Sequence, residues 1–269
     1  MEHVFQSTKY GGNAAGNYQK FFVPAIGGPV AEDLLAIAHL QAGERVLDVA
    51  CGTGVVTRLA AACVGKTGKI SGLDINPGML QVAGSETPDD LPIEWIEANA
   101  EAMPLDDGSY DVAFCQLGLQ FVPNKLAALR EMHRVLVPGG RVHVTLVGPK
   151  PRLFGIMADG IRHHFGQDGA SFIDLVFSMH DDSELRYLFE SVAFGDIVID
   201  AQQKRLTVPP PREFLWQYIH STPLVQQAMA ADETARDRLE HDVCPKWEEF
   251  VDSGNIQFDV GVTTVSAVR

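Results

Sequence analysis

Residues 45–57, RVLDVACGTGVVT, decide the fold. The first half is a short, mostly apolar run that is typical of a buried parallel strand, and residues 55–63 read as a helix of small residues. Gly52 and Gly54 lie between them, where the strand passes into the helix. Such a turn usually holds an anionic ligand against a helix N-terminus. A carboxylate four residues before the first glycine, Asp48, therefore raises the question of which ligand the turn binds.

The pattern of this stretch repeats along the chain. Apolar runs that predict strands alternate with helical segments, and residues 258–268 alternate with a period of two, as a final strand would. Asn76-Pro77 predicts a capped helix start, and Pro29 marks the start of another helix. This alternation predicts a doubly wound, mostly parallel sheet with ligands at the carboxyl ends of its strands. The predicted strands are 45–50, 69–75, 93–98, 110–117, 141–147, 196–208 and 258–268, and the predicted helices are 29–40, 55–63, 124–136, 181–194 and segments within 212–252.

Composition narrows the class of protein. Of 269 residues, 46% are hydrophobic and 21% are charged, which suits a sizeable core, and the formal net charge is −14. So acidic a chain is expected to repel nucleic acids and anionic membranes. No unbroken apolar run reaches membrane-spanning length, and residues 1–12 lack the plan of a signal peptide. The four scattered cysteines suit a reducing compartment, so we expect a cytoplasmic protein.

Three classes of nucleotide ligand are compatible with an α/β sheet of this kind. A phosphate-binding loop would use Gly65-Lys66-Thr67, but its earlier glycine position holds Ala60. A dinucleotide fold is favoured by Asp74, an acid 20 residues after Gly54, yet Thr57 occupies its third glycine position. S-adenosylmethionine (SAM) carries no phosphate and has two cationic groups, a sulfonium and an ammonium. A carboxylate beside the turn repels a pyrophosphate and attracts these cations, so the charge favours SAM.

Four stretches in order resemble the class I SAM-dependent methyltransferases, especially the quinone-biosynthesis C-methyltransferases of the methyltransferase type 11 group. They are 46–57, 72–80, 97–124 and 128–145. The resemblance implies a Rossmann-like, doubly wound, seven-stranded α/β sheet with an antiparallel last strand and α-helical lid insertions. It also implies one domain, 1–269, with a cofactor-binding core at 29–148 and acceptor-binding insertions at 150–181 and 209–255.

Site residues follow from the same resemblance. Asp74 would accept hydrogen bonds from both ribose hydroxyls, while Ile75 and Met79 would flank the adenine. The family's usual Asp-Ala pair is replaced by Asn99-Ala100, whose amide oxygen can still accept from the adenine amino group. The implied cofactor-binding residues are Tyr18, Phe22, Asp48, Ala50, Gly52, Gly54, Asp74, Ile75, Met79, Asn99, Ala100, Glu101, Gln116 and Phe121.

The alternatives are simple packing roles. Tyr18 and Phe22 lie four residues apart and could form one helix face, while Ile75 and Met79 could be core residues. Cys51 is read as a small filler rather than a nucleophile, since no histidine is paired with it in sequence.

The function implied is transfer of a methyl group from SAM to a small-molecule acceptor by in-line displacement, releasing S-adenosylhomocysteine. The alternatives are a SAM-binding protein without this activity and an NAD-dependent oxidoreductase. Phe121, Trp216, Tyr218 and His220 are expected to line the acceptor pocket. The candidates for a general base, all within the insertions, are His163, His164, His180 and His220, of which His164 and His220 are the residues we single out. His241 and Cys244 are too few ligands for a metal site, and we expect a monomer or homodimer.

Overall fold

The glycine turn follows the central strand of a mixed sheet. The computed structural model describes residues 13–269, and the prediction made for residues 1–12 lies outside them. Seven strands lie in the order β3-β2-β1-β4-β5-β8-β6, and a short strand, β7, pairs with β8. The strands are β1 (Arg45–Val49), β2 (Lys69–Asp74), β3 (Ile93–Glu97), β4 (Tyr110–Gln116), β5 (Leu136–Val147), β6 (Gly195–Val208), β7 (Val251–Asp252) and β8 (Asn255–Val268).

The direction of the strands confirms the predicted topology. Strands β1 to β5 are parallel to one another, and β8 runs antiparallel to both β5 and β6. From β1 the chain builds outward to β3 and then returns to place β4 on the other side of β1. The order of the strands therefore reverses between β1 and β4. Loops after these two strands diverge there and leave a crevice, which is where open α/β sheets bind their ligands.

Helices cover both faces of the sheet because the strands are apolar on both faces. Val46 packs with the helices on one face, and its neighbour Leu47 packs with those on the other. The helices are α1 (Ala14–Asn17), α2 (Gly28–Ala38), α3 (Val55–Val64), α4 (Pro77–Ser85), α5 (Lys125–Val135), α6 (Arg152–His164), α7 (Gln167–Val176), α8 (Asp182–Glu190), α9 (Pro211–His220), α10 (Val225–Ala230) and α11 (Glu233–Trp247).

The first helix begins earlier than the sequence predicts. Pro29 was expected to open it, but α1 and α2 are joined by a π-helix, Tyr18–Gly27, into one helix, Ala14–Ala38. The amide of Gly28 donates to the carbonyl of Val23, five residues back. The helix therefore continues through Pro24 and the glycines, which usually end an α-helix, because the π-helical turn is wider.

The same helix, Ala14–Ala38, is long and apolar enough to cross a membrane by length and composition alone. The helix is not an unbroken apolar run, since Lys20, Glu32 and Asp33 interrupt it. Core helices of globular proteins pass the same test, and α2 buries Val30, Ala31 and Leu34 against the rest of the chain.

Strand β5 also begins earlier than predicted. The expected start was residue 141, after a helix ended by Pro138-Gly139-Gly140, but Leu136 already pairs with Tyr110 of β4. The register shifts after this pair, and the extra residues form an irregularity in the strand. Gly139 and Gly140 are held there by backbone hydrogen bonds with Arg269 at the end of the chain. A partner distant in sequence thus turns an apparent loop into strand.

The two segments predicted as insertions pack on one another. Helices α6 and α7 follow β5, and α9 to α11 connect β6 to β7 and β8. Leu153 and Met157 of α6 share one core with Val243 and Trp247 of α11. The Trp247 indole is fully buried and donates from Nε1 to the carbonyl of Leu153 at 3.0 Å. Helices from both segments therefore form one layer over the end of the sheet.

We expect Trp247→Ala to lower the free energy of unfolding by about 3–5 kcal/mol, since it leaves a cavity and removes the hydrogen bond to the Leu153 carbonyl. Urea denaturation followed by circular dichroism measures this loss. The control is Tyr187→Ala on the surface of α8, where 66% of Tyr187 is exposed, and its expected change is within about 0.5 kcal/mol. Similar losses in the two variants would contradict the packing of α11 on α6.

Candidate active site

A cavity of about 560 Å³ lies at the carboxyl ends of the central strands. One part is built by the loops after β1, β2, β3 and β4 and carries most of the polar groups. The other part is built by the helical layer together with β6 and β8 and is almost entirely apolar. The first part is lined by Asp48, Ala50, Gly52, Thr53, Asp74, Ile75, Asn76, Met79, Asn99, Ala100, Glu101 and Gln116; the second includes Phe154, Phe172, Phe177, Leu206, Tyr218, Thr222, Phe258 and Val260.

Asp74 holds the glycine turn in place. Its Oδ2 accepts from the amide of Gly52 at 2.8 Å, and its Oδ1 accepts from the amide of Asn76 at 2.8 Å. Burial raises the pKa of Asp74, and backbone hydrogen bonds from Asn76, Gly52 and Ile75 counteract this rise. Sequence reasoning gave Asp74 a role toward a ribose only. Each carboxylate oxygen keeps further acceptor capacity, so both roles fit the same group.

The turn itself adopts backbone angles that L-residues rarely use. Ala50 has φ 55° and Gly52 has φ 55°. A side chain added at Gly52 would project toward the Tyr18 ring, whose Cε1 lies 3.9 Å from the position of such a Cβ. The space between the turn and this ring therefore stays open only because residue 52 is glycine. At Ala50 the left-handed conformation costs on the order of 1 kcal/mol, a strain typical of functional turns.

Gly54 packs against the sheet. It is not among the residues that line the cavity, and its predicted role beside the cofactor stays a prediction. Its φ is 80° at the N-cap of α3, and a Cβ there would collide with the Trp95 ring of β3. Gly54 is needed because an aromatic side chain packs on the backbone.

Asp48 is not the fixed charge that the sequence predicts. It is 1% exposed, and its Oδ2 accepts from the Thr57 hydroxyl at 2.6 Å. Burial raises the pKa of Asp48 to about 7, an effect that the hydrogen bonds from Thr57 only partly offset. The carboxyl group is therefore only partly ionised at neutral pH. A cation bound in the cavity would favour its charged form.

The loops after β2 and β3 bring the predicted adenine-side residues together. Ile75, Met79 and Asn99 all line the cavity. The Asn99 side-chain oxygen already accepts from the amide of Glu101 at 2.9 Å, so an adenine amino group would have to use its second lone pair. Glu101 in turn accepts from the amide of Asn124 at the start of α5, at 2.8 Å. These contacts fix the loop before any ligand arrives.

The π-helix covers the cavity. Tyr18 and Phe22 stack with ring centroids 4.6 Å apart, and Phe22 lies 6.4 Å from the ring of Tyr218. The two rings stack on one face of the helix and also line the cavity. A packing role and a cofactor-binding role for the pair are therefore compatible. The Gln116 amide donates to the carbonyl of Gly27 at 3.0 Å and joins this helix to β4.

The structure does not bring the candidate bases to the cavity. None of His163, His164, His180 and His220 belongs to its lining. His164 lies 3.3 Å from Asp242 of α11, His163 packs on the ring of His164, and His180 contacts the carbonyl of Phe177. Burial, with Arg236 nearby, lowers the pKa of His220.

Of the four predicted pocket residues, Phe121 and Tyr218 line the cavity, whereas Trp216 and His220 do not. Successive positions of a helix point in different directions, and Trp216 turns toward α11, where its Nε1 donates to Glu240 at 2.8 Å. Cys51 lines the cavity, and burial raises the pKa of its thiol well above the ordinary value, which favours the filler interpretation over a nucleophile.

Most residues that line the apolar part of the cavity were not predicted from the sequence. Phe258 and Val260 could have been found, because they share the buried face of a strand with a period of two. Nothing local marks Phe154, Phe172 or Gln120, which reach the cavity only through the packing of distant segments.

The residues present fit SAM. The turn offers open space over Gly52, Asp74 offers acceptor capacity for hydroxyls, and the partly ionised Asp48 suits a cationic ligand. Together with the strand order and its antiparallel β8, these features define a class I SAM-dependent methyltransferase. The chain belongs to the ubiE/COQ5 methyltransferase family, whose model matches residues 31–196.

Individual relatives agree with this assignment. The demethylmenaquinone methyltransferase of Staphylococcus epidermidis is 32% identical over 62% of this chain and 74% of its own length. The ubiquinone/menaquinone biosynthesis C-methyltransferase of Hahella chejuensis is 46% identical over 39% of this chain and 43% of its own. A phosphoethanolamine N-methyltransferase of Haemonchus contortus, solved with phosphomonomethylethanolamine and S-adenosylhomocysteine, shares the fold, with a TM-score of 0.56, 18% identity and coverage of 90% of this chain and 52% of that one.

We expect Gly54→Ala to destabilise the protein by about 2–4 kcal/mol, through left-handed strain and the collision with Trp95. Adding Trp95→Phe removes the colliding part of the indole, so the double variant should be more stable than the two single losses predict. The control is Gly84→Ala in α4, where a Cβ meets no atom within 4 Å; it should leave stability unchanged or higher. Additive losses in the double variant would contradict the contact.

Asp48 predicts a pH dependence of the ligand-free protein. Because its folded pKa of about 7 exceeds the ordinary 3.8, its contribution to stability is present below about pH 4 and is lost as pH rises to about 7. The loss is on the order of 4 kcal/mol. Asp48→Asn, which keeps an acceptor for Thr57, should flatten this part of the curve in urea denaturation between pH 4 and pH 8. Parallel curves for the two proteins would show that Asp48 titrates normally.

Proposed function

We propose that this methyltransferase acts on an apolar, aromatic small molecule of the quinol type. The observation that carries the proposal is the apolar part of the cavity, which opens directly into the part that fits the cofactor. Its walls combine the rings of Phe154, Phe172, Phe177 and Phe258 with the aliphatic side chains of Leu206 and Val260. Such walls suit a flat, weakly polar acceptor. The quinone-biosynthesis names of the relatives support the same class of acceptor.

The chain's own residues would align the reactants and exclude water. SAM supplies, when bound, a methyl group activated by its sulfonium. We propose that Asp74 orients the ribose, that the open face of Gly52 admits the cofactor against the backbone, and that Tyr18 covers it. Holding acceptor and methyl group in line would lower the barrier without a covalent step on the protein.

The apolar part offers the acceptor little help with proton removal. The residues that α6, α7, α9, β6 and β8 contribute to the cavity include no Asp, Glu, His, Lys or Arg among residues 13–269. We therefore propose that a carbon of an electron-rich phenol or quinol ring is the nucleophile: it forms the bond to the methyl group as the sulfonium–methyl bond breaks, and the proton then lost from that carbon passes to solvent. An amine that must first lose a proton to a protein base fits this lining less well.

Much of the acceptor part lies beyond the segment that the family model matches. The match ends at residue 196, whereas Leu206, Tyr218, Thr222, Phe258 and Val260 follow it. We propose that these residues help to select the acceptor within the quinol class. On the basis of the net charge of −14, we further propose that the protein binds neither nucleic acid nor anionic membranes. The scattered cysteines support a cytoplasmic location, and a monomer or homodimer stays a prediction. Light scattering and vesicle co-sedimentation test this proposal.

The central test is release of S-adenosylhomocysteine by the purified protein with a panel of acceptors at equal concentration. We expect turnover with apolar phenols and quinols, and much less with aliphatic amines, thiols and carboxylates of similar size. Turnover confined to the polar acceptors would overturn the proposal. Mass spectrometry of the product then identifies the methylated atom.

Narrowing the apolar part should affect the acceptor alone. Val260→Phe adds a ring where Val260 lines the cavity, so we expect KM for the acceptor to rise at least about tenfold while affinity for S-adenosylhomocysteine stays within threefold. The control, Val198→Phe, makes the same change at a position on β6 that is 60% exposed. If calorimetry shows that Val260→Phe weakens cofactor binding instead, residue 260 borders the cofactor.

A further inference from the structure

The apolar part of the cavity ends on a cluster of aromatic rings. The ring of Phe154 of α6 lies at the centre of this cluster, and three other rings have centroids 5.0, 5.2 and 5.6 Å from it, those of Phe177, Tyr218 and Phe258. All four side chains line the cavity, and none is more than 6% exposed. Rings at these distances pack in direct contact, so the cluster forms a wall.

A second layer of buried residues lies behind this wall. Phe214 packs on Phe154 with ring centroids 6.2 Å apart and on Trp247 with centroids 5.6 Å apart. Both Phe214 and Trp247 are buried, and neither lines the cavity. On the side of the sheet, Leu206 of β6 pairs with Phe258 of β8 and is buried as well. The far end of the apolar part is therefore closed by protein.

The cavity meets solvent on the side of the cofactor part. Among the lining residues that the structure describes, the exposed ones are Ile75, Asn99 and Pro123. They follow β2, β3 and β4, in the loops that build the cofactor part. A cofactor bound between these loops would lie between the acceptor and the solvent.

The volume of the cavity limits what the two reactants can occupy together. The whole cavity measures about 560 Å³, which lies within the range for a single drug-sized ligand. SAM is itself a ligand of that size. The space that remains beside it suits a small ring system.

We propose that the apolar part is a blind pocket, and that the methyl acceptor is a compact molecule of one or two fused rings without a long hydrocarbon chain. The inference rests on the proposed function, since it places a phenol or quinol ring in the apolar part. A long chain on that ring meets the wall around Phe154 at one end and the cofactor at the other. The length of the acceptor, and not its polarity alone, thus determines specificity.

A series of phenols of increasing length tests the blind pocket. The probes are 4-methylphenol, 4-ethylphenol, 4-butylphenol, 4-hexylphenol and 4-octylphenol, bound to the full chain with saturating S-adenosylhomocysteine and measured by equilibrium dialysis, so that the order of entry has no influence. We expect affinity to pass through a maximum, with 4-octylphenol at least about tenfold weaker than the tightest member. In an open channel each further buried methylene would instead add about fourfold in affinity. Affinities that rise through 4-octylphenol, or binding of no member, would overturn the inference.

A matched pair of variants locates the closed end. Leu206→Ala shortens a side chain beside Phe258, so the maximum should move to a longer phenol and 4-octylphenol should bind at least about fivefold more tightly. The control is Leu185→Ala, the same change at a fully buried position of α8 that does not line the cavity, and it should leave the maximum unchanged. Thermal unfolding shows whether each variant is folded. An unchanged maximum in folded Leu206→Ala, or an equal shift in the control, would contradict the closed end, and the wild-type series decides alone if Leu206→Ala does not fold.

Measurements of turnover separate this inference from the proposed function. Methyl transfer to long-chain phenols as efficient as to short ones overturns the blind pocket and leaves the acceptor class standing. A maximum in affinity without methyl transfer to any phenol or quinol upholds the blind pocket and overturns the acceptor class.

Discussion

The site depends on one carboxylate, Asp74, which joins the loops after β1 and β2. Its two oxygens hold the amides of Gly52 and Asn76, so the glycine turn and the start of α4 are fixed relative to each other. Burying this group raises its pKa, and the backbone donors around it keep the charged form accessible. The turn is therefore organised by the protein before a ligand binds. A ligand that reaches Asp74 meets a carboxylate whose position is already determined.

The sequence predicted the cofactor half well because its signals are local. Strand β1 and the Asn76 cap of α4 follow from residues close together in the chain, and the alternation of strands and helices predicts a mostly parallel sheet. The structure confirms all three. The features that the sequence did not predict have a different cause. Helix Ala14–Ala38 continues through a proline by π-helical bonding. The packing of Trp95 on Gly54 joins residues that are far apart in the sequence. Trp216 and His220 were predicted from the place of their insertion over the carboxyl ends of the strands, which does not determine the direction in which a helical residue points.

The two parts of the cavity obey different physical rules. The cofactor part uses backbone amides, a glycine and two buried acids, which only a particular chain path can place together. The acceptor part uses side chains from helices and strands whose backbone needs only to surround a space. The family match, residues 31–196, includes Asp48, Gly52 and Asp74 of the first part and ends before Leu206 and Val260 of the second.

The π-helix, Tyr18–Gly27, connects these parts. Tyr18 faces Gly52, Phe22 approaches Tyr218, and the carbonyl of Gly27 binds Gln116 at the end of β4. A π-helix is less favourable than an α-helix of the same length and persists where its side chains and carbonyls are needed in that arrangement. Here the π-helix directs the Tyr18 ring to the glycine turn, the Phe22 ring to α9 and the Gly27 carbonyl to β4. Displacing this helix would uncover the glycine turn and would also remove a wall of the apolar part of the cavity. The π-helix therefore covers both parts of the cavity.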